Sequence, residues 1–184
     1  RIANHIHNKK RTLLWDFHEK AFEGVPLTLV GHNDDMPGVL PARDWCDLKN
    51  ILSRHRFFVH TADPQFEDGY NMATLEAMAA GLPVLGNRHP TSPVEHGISG
   101  FLAEDPEELK EYARRLLGDA ELAARMGREA RKRVAEKFSP RQFKKGLLRS
   151  IECARKKWLG RPCVTQTEIG RASCWERVYI SVVA

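Results

Sequence analysis

The sequence predicts an α/β fold: a Rossmann-like doubly wound parallel sheet with further helices at its C-terminal end. Three observations predict it. Short apolar runs occur at Leu27-Thr28-Leu29-Val30, Phe57-Phe58-Val59-His60 and Leu82-Pro83-Val84-Leu85. Segments of helical period separate these runs, and beyond residue 105 the periodicity is helical alone. Strands alternating with helices across short connections describe a parallel sheet covered on both faces, and such sheets bind ligands at the carboxyl ends of their strands.

Taken in order, residues 12–22 place Leu13, Leu14, Phe17 and Ala21 on one face, and Gly24-Val25-Pro26 stops that helix. The run at 27–30 is short and apolar and ends in the polar loop Gly31-His32-Asn33-Asp34-Asp35, as expected at the carboxyl end of a buried parallel strand. Residues 44–52 form a second helix with Trp45, Leu48, Ile51 and Leu52 on its apolar side. The second strand, 57–60, is followed by a third helix at 71–80, carrying Met72, Leu75, Ala79 and Ala80 and closed by Gly81. The third strand is 82–85, with Pro83 at its start, where no ladder donor is lost. Asp105-Pro106 then supplies an N-cap and a first-turn proline for a helix at 107–117 that buries Leu109, Tyr112, Ala113, Leu116 and Leu117. Residues 120–138 space Leu122, Met126, Ala130, Val134 and Phe138 four apart, and a last helix at 140–158 aligns Phe143, Leu147, Ile151, Ala154 and Trp158.

Composition bounds the function. With 184 residues, 42% hydrophobic, 29% charged and a formal net charge of +5, the chain is globular in type and long enough to bury a core. No apolar run approaches the roughly 20 residues of a membrane-spanning helix. Cys46, Cys153, Cys163 and Cys174 are far apart and form no Cys-x-x-Cys pair, which argues against a structural zinc site and a disulfide framework. A reducing cytoplasm is the expected compartment. The basic excess lies in Arg141, Lys144, Lys145, Arg149, Arg155, Lys156, Lys157 and Arg161, against Glu152 alone. That segment reads either as a solvated helix face or as a peripheral contact with a membrane surface; a nucleic-acid partner is not expected.

The chain opens at Arg1 without an initiator Met or an apolar leader, as expected of a fragment truncated at its N-terminus. Residues 1–160 read as one domain and 161–184 as a linker and tail. Residues 168–184 look like a translated sequencing-adapter read of the kind found in gene models from environmental DNA; the other reading is a terminal edge strand at Tyr179-Ile180-Ser181-Val182-Val183-Ala184.

The densest chemical signal is Phe66-Glu67-Asp68-Gly69-Tyr70-Asn71-Met72-Ala73-Thr74-Leu75-Glu76-Ala77-Met78-Ala79-Ala80-Gly81-Leu82-Pro83-Val84. An acidic loop and a glycine deliver the chain to a helix N-terminus, where free backbone N–H groups and the helix dipole favour an anion. Gly69 permits close backbone approach. Glu76 lies about one turn inside the helix, placed to accept from neutral hydroxyls while a diphosphate stays at the positive end. Acids aimed at a phosphate would repel it, so sugar and ribose hydroxyls are the sensible targets of Asp68 and Glu76.

This stretch resembles the nucleotide-sugar-binding domain of retaining GT-B glycosyltransferases, in particular the family 4 group, whose motif sets a Glu eight positions after a first acid and continues Ala-Met-Ala-x-Gly-x-Pro-Val. Here Asp68 stands eight before Glu76, an Asp where the family usually has Glu, and Glu67 is one residue out of register. The resemblance extends over roughly residues 1–150, through Pro93-Val94-Glu95-His96-Gly97-Ile98-Ser99-Gly100-Phe101-Leu102, read as the turn after the third strand, and through Met126-Gly127-Arg128-Glu129-Ala130-Arg131. It implies one half of a GT-B fold that binds a UDP- or GDP-sugar donor across the strand ends and transfers the sugar with retention to an unknown acceptor. It further implies a missing N-terminal acceptor-binding domain, no required metal, and a fragment inactive by itself.

By the same resemblance Glu76 holds the ribose and Asp68, Gly69, Tyr70 and Asn71 meet the donor sugar, so Asp68 and Glu76 are the candidate catalytic acids. Met72 joins the donor-binding set, although its side chain, like that of Met78, is expected in the core. His60 and Thr61 end a buried strand at the ligand edge, where a donor contact competes with a satisfied loop hydrogen bond. The family commonly carries an Arg and a Lys on the loop after its first strand to grip the diphosphate; here Lys9, Lys10 and Arg11 offer charge, either to phosphate or to solvent. His32 and Asn33 are expected to be structural. His89-Pro90-Thr91-Ser92 replaces a glycine-rich turn. Two other classes remain open: a non-catalytic nucleotide-sugar-binding or regulatory module, and a sugar-nucleotide epimerase. The absence of Gly-x-Gly-x-x-Gly, of a P-loop and of Gly-x-Ser-x-Gly excludes the phosphate cradles of dehydrogenases and NTPases and the hydrolase elbow. Asp34-Asp35 reads as a solvated turn before it reads as a metal site.

Overall fold

The computed structural model describes residues 1–66 and 71–160, so Asp68, Gly69, Tyr70 and the 161–184 tail lie outside the described residues. The chain forms two compact units, Arg1–Val134 and Ala135–Ala184.

The first unit is built on a parallel sheet of three strands, β1 (Phe58–His60), β2 (Val84–Asn87) and β3 (Gly100–Ala103), in that order across the sheet. The register sets Val59 beside Leu85 and Leu85 beside Phe101, and His60 beside Gly86 and Gly86 beside Leu102. Because successive side chains alternate between faces, this register sorts the core into two layers. Val59, Leu85, Phe101 and Ala103 pack with α1 (Trp15–Ala21), α4 (Pro106–Gly118) and the first half of α5 (Ala120–Lys137). Phe58, Val84 and Leu102 pack with α2 (Trp45–Ser53), α3 (Met72–Ala79) and Ala130 of α5. Both faces are therefore covered, as a parallel sheet requires.

Local chemistry sets the helix starts. Asp44, Asn71 and Asp105 each accept, through the side chain, the backbone N–H three residues on. Pro106 adds a pre-set first turn to α4. Where α5 crosses the end of α3, Gly127 lies against the Gly81 carbonyl so closely that a Cβ there would collide with the oxygen.

Several expectations are corrected. The run 27–30 forms no strand: only Val30 pairs, through isolated parallel bridges to Ile2 and Leu40. Thr28 is exposed and Leu27 and Leu29 half-buried, so the run has too little inward surface to order a ladder. The strand expected at 82–85 begins two residues later, because Pro83 contributes a carbonyl to the Phe58 N–H but has no N–H to give. The segment read as a turn at 93–102 ends in β3. α1 starts at Trp15 because Leu14 is left-handed, φ 49°; of the expected face Ala21 is buried and Phe17 packs against the core, while Trp15 and His18, not Leu13 and Leu14, complete the buried side. Trp45 and Met72 point outward, at 56% and 61% exposure, so Met72 is not a core residue, whereas Met78 is fully buried.

The second unit carries α6 (Pro140–Trp158), capped by Ser139, none of whose residues is buried. Phe143, Leu148, Ile151 and Trp158 are exposed along it beside the basic side chains. Among the described residues no helix is long and apolar enough to cross a membrane.

Candidate functional site

β2 runs one residue past the end of β1, and the two are tied there by a side chain that no motif announced. Asn87, buried at the end of β2, accepts the Ala62 N–H through Oδ1 at 2.9 Å and donates to the Ala62 carbonyl through Nδ2 at 2.8 Å. This amide takes over the ladder where β1 stops. Next to it Gly86 has no side chain, and a Cβ there would strike the His60 carbonyl, so the two strands approach closely at the crest.

A small pocket of about 20 Å³, little more than the room for a water, lies against the sheet here. It is lined by His60 of β1 and Ala62 beyond it, by Val84, Gly86 and Asn87 of β2, by Leu102 of β3, by residues of the loop 89–94, and by Asn71 and Thr74 at the start of α3. Asn71 accepts from the Thr74 N–H at 3.0 Å and the Thr74 hydroxyl at 3.3 Å. The cap satisfies one first-turn donor and leaves the Met72 and Ala73 amides without an intrahelical acceptor. Such amides, with the positive end of the helix dipole, favour an anion.

Glu76 sits a turn further along α3, on its half-buried flank and outside the pocket lining. Burial raises its pKa above the usual carboxylate value. Among the described residues no cation or hydrogen-bond donor reaches its carboxylate. A half-buried, unpaired carboxylate is stabilised by neutral hydroxyl donors, and it needs no counter-charge to accept them.

The other candidates separate. His60 and Asn71 come together at the pocket. Thr61 does not join them: it is fully buried, its hydroxyl donating to the Leu13 carbonyl at 2.7 Å and accepting from the Arg1 guanidinium at 2.5 Å. Lys9 and Lys10 are exposed at the end of a single 3₁₀ turn, His7–Lys9, away from the pocket lining. Asn33 is structural, holding the Ile6 N–H and the Ala3 carbonyl, both at 2.8 Å. Asp35 pairs with His7 at 2.6 Å. Among the described residues no three His, Cys, Asp or Glu side chains converge to hold a metal ion. Sequence reasoning missed Asn87, and it registered His89 only as a departure.

A parallel sheet covered by helices on both faces is Rossmann-like, and its structural neighbours give it the form of one half of a GT-B fold. The chain belongs to the family described as Glycosyl transferases group 1, which matches residues 19–119, more than half of its length. It is 35% identical over 112 residues to the human alpha-1,3/1,6-mannosyltransferase ALG2, a match covering 59% of this chain and 27% of that protein. It is 32% identical over 106 residues to the sucrose synthase of Melioribacter roseus, covering 53% of this chain and 13% of the other. The chain thus spans about a quarter or less of these relatives' length. Among solved structures it resembles TarM in fold, with TM-score 0.56 at 21% identity, covering 80% of this chain and 33% of that one. An S. aureus TarM mutant in complex with Fondaparinux, alpha-GlcNAc-glycerol and UDP gives TM-score 0.54 at 18% identity, covering 76% and 32%.

Proposed function

We propose that this chain is the donor-binding part of a retaining glycosyltransferase that takes a UDP- or GDP-sugar. The observation that carries the reading is the capped N-terminus of α3, set beside the small pocket that Asn71 and Thr74 line together with the ends of β1 and β2. The diphosphate lies against the Met72 and Ala73 amides, which also stabilise the charge that develops on the leaving group. Glu76 accepts from the ribose hydroxyls, and Asp68, Gly69, Tyr70 and Asn71 meet the sugar. Transfer proceeds on one face of the sugar, without a protein nucleophile and without a bound metal. The acceptor-binding domain belongs to the rest of a longer protein, so this chain binds donor but does not turn it over. The sugar-handling names of the relatives, and the UDP of the TarM complex, support a nucleotide-sugar ligand.

Calorimetric titration with UDP and GDP tests the reading. Wild type is expected to bind one of them, and Glu76→Ala to weaken that binding by about 1–3 kcal/mol, the cost of a lost partner at a partly buried site. Equal affinity in the variant removes Glu76 from the site.

A further inference from the structure

The loop that follows β2 carries His89, whose ring is engaged at both nitrogens. Nδ1 accepts from the Thr91 backbone N–H at 3.2 Å and lies 2.9 Å from the Thr91 hydroxyl. A backbone N–H can only donate, so Nδ1 carries no proton in this arrangement. The ring proton is on Nε2, which lies 3.0 Å from the Phe66 carbonyl and donates to it. One imidazole of fixed tautomer therefore spans from the β2 exit to the chain that leaves β1, beside the pocket it also lines.

Phe66 is held from other directions as well. Its N–H donates to the Asp63 carbonyl at 3.0 Å, and the Arg11 guanidinium lies 5.1 Å over its ring. Among the described residues His89 is the side chain that ties this segment to the neighbouring strand's loop. A glycine-rich turn at this place would offer backbone amides and no such strut.

We propose that His89 is a positioning residue for the ligand: its Nε2–H fixes the β1-exit chain against the β2-exit loop, and so holds the two at the separation at which one ligand meets both. The inference rests on the nucleotide-sugar reading, and the test separates the two. His89→Gln can still donate to the Phe66 carbonyl through its longer amide. His89→Asn can keep only the short contact to Thr91, and His89→Leu keeps neither.

Titration of the full chain with UDP and GDP is expected to show Asn and Leu weakened by about 3- to 10-fold, the effect of one hydrogen bond, with Gln within about 2-fold of wild type. Melting curves of all four proteins accompany the titrations, because a merely structural loss would lower the Gln and Asn variants together. Wild-type affinity in Asn and Leu, or a Gln variant as weak as Leu, overturns the positioning role and leaves the nucleotide-sugar reading standing. A wild-type chain that binds neither nucleotide overturns both. Nitrogen-15 spectra of the histidine rings give a check without ligand: the Nε2–H tautomer is expected for His89, and an Nδ1–H ring overturns the proposal.

Discussion

Acidification is expected to destabilise this protein in part through His18. The ring is 3% exposed, between Trp15 at 4.5 Å and Phe22 at 5.1 Å centroid separation, and its Nδ1 has no hydrogen-bond partner among the described residues. Burial, then the positive charges of Arg1 and the terminal ammonium, lower its pKa from 6.5 to about 2. The folded chain keeps the ring neutral, while the unfolded chain protonates it near the ordinary value. Between those two values the unfolded state binds more protons. The stability contributed by neutral His18 is thus complete above the unfolded pKa and is lost as pH falls below it. The slope is about 1.4 kcal/mol per pH unit, which at about pH 5 amounts to roughly 2 kcal/mol. His18→Phe keeps a ring in the stack and removes both the titration and the unpaired nitrogen. Urea unfolding of both proteins from about pH 8 to about pH 5 should show wild type losing roughly 2 kcal/mol more than the variant. Parallel losses would refute the argument.

Two further substitutions test the frame of the site. Gly127→Ala drives a methyl into the Gly81 carbonyl and is expected to cost about 1–3 kcal/mol in chemical denaturation, unless α5 shifts. Asn87→Leu strands the N–H and carbonyl of Ala62; a loss of about 1–3 kcal/mol and faster amide exchange at Ala62 are expected, and unchanged exchange would show that Asn87 does not tie the strands.

The legible parts of the fold are those written in neighbouring residues. Phe57-Phe58-Val59 announces a buried strand because both faces of a parallel strand need apolar side chains, and Asp105-Pro106 announces α4 because cap and first turn adjoin. The start of α3 was legible for the same reason, since Asn71 adjoins the helix it caps. What escaped depends on distant partners. Phe101-Leu102-Ala103 is too short to be told from a turn until β2 lies beside it. Trp15 and His18 join Ala21 on the inner side of α1 through a tilted ring contact, a geometry that apolar spacing does not encode. Asn87 and Ala62 are 25 residues apart, and His89 and Phe66 are 23 apart, so each reads as an ordinary loop polar residue until the crest is assembled.

β1 is only three residues long, a reach of about 10 Å. Sliding it by a single residue would exchange its two sides, swapping Val59 for its neighbours and driving an imidazole into the oily interior. Variation in what this crest accepts therefore has to come from the connecting segments, while the strand beneath them is held to one setting.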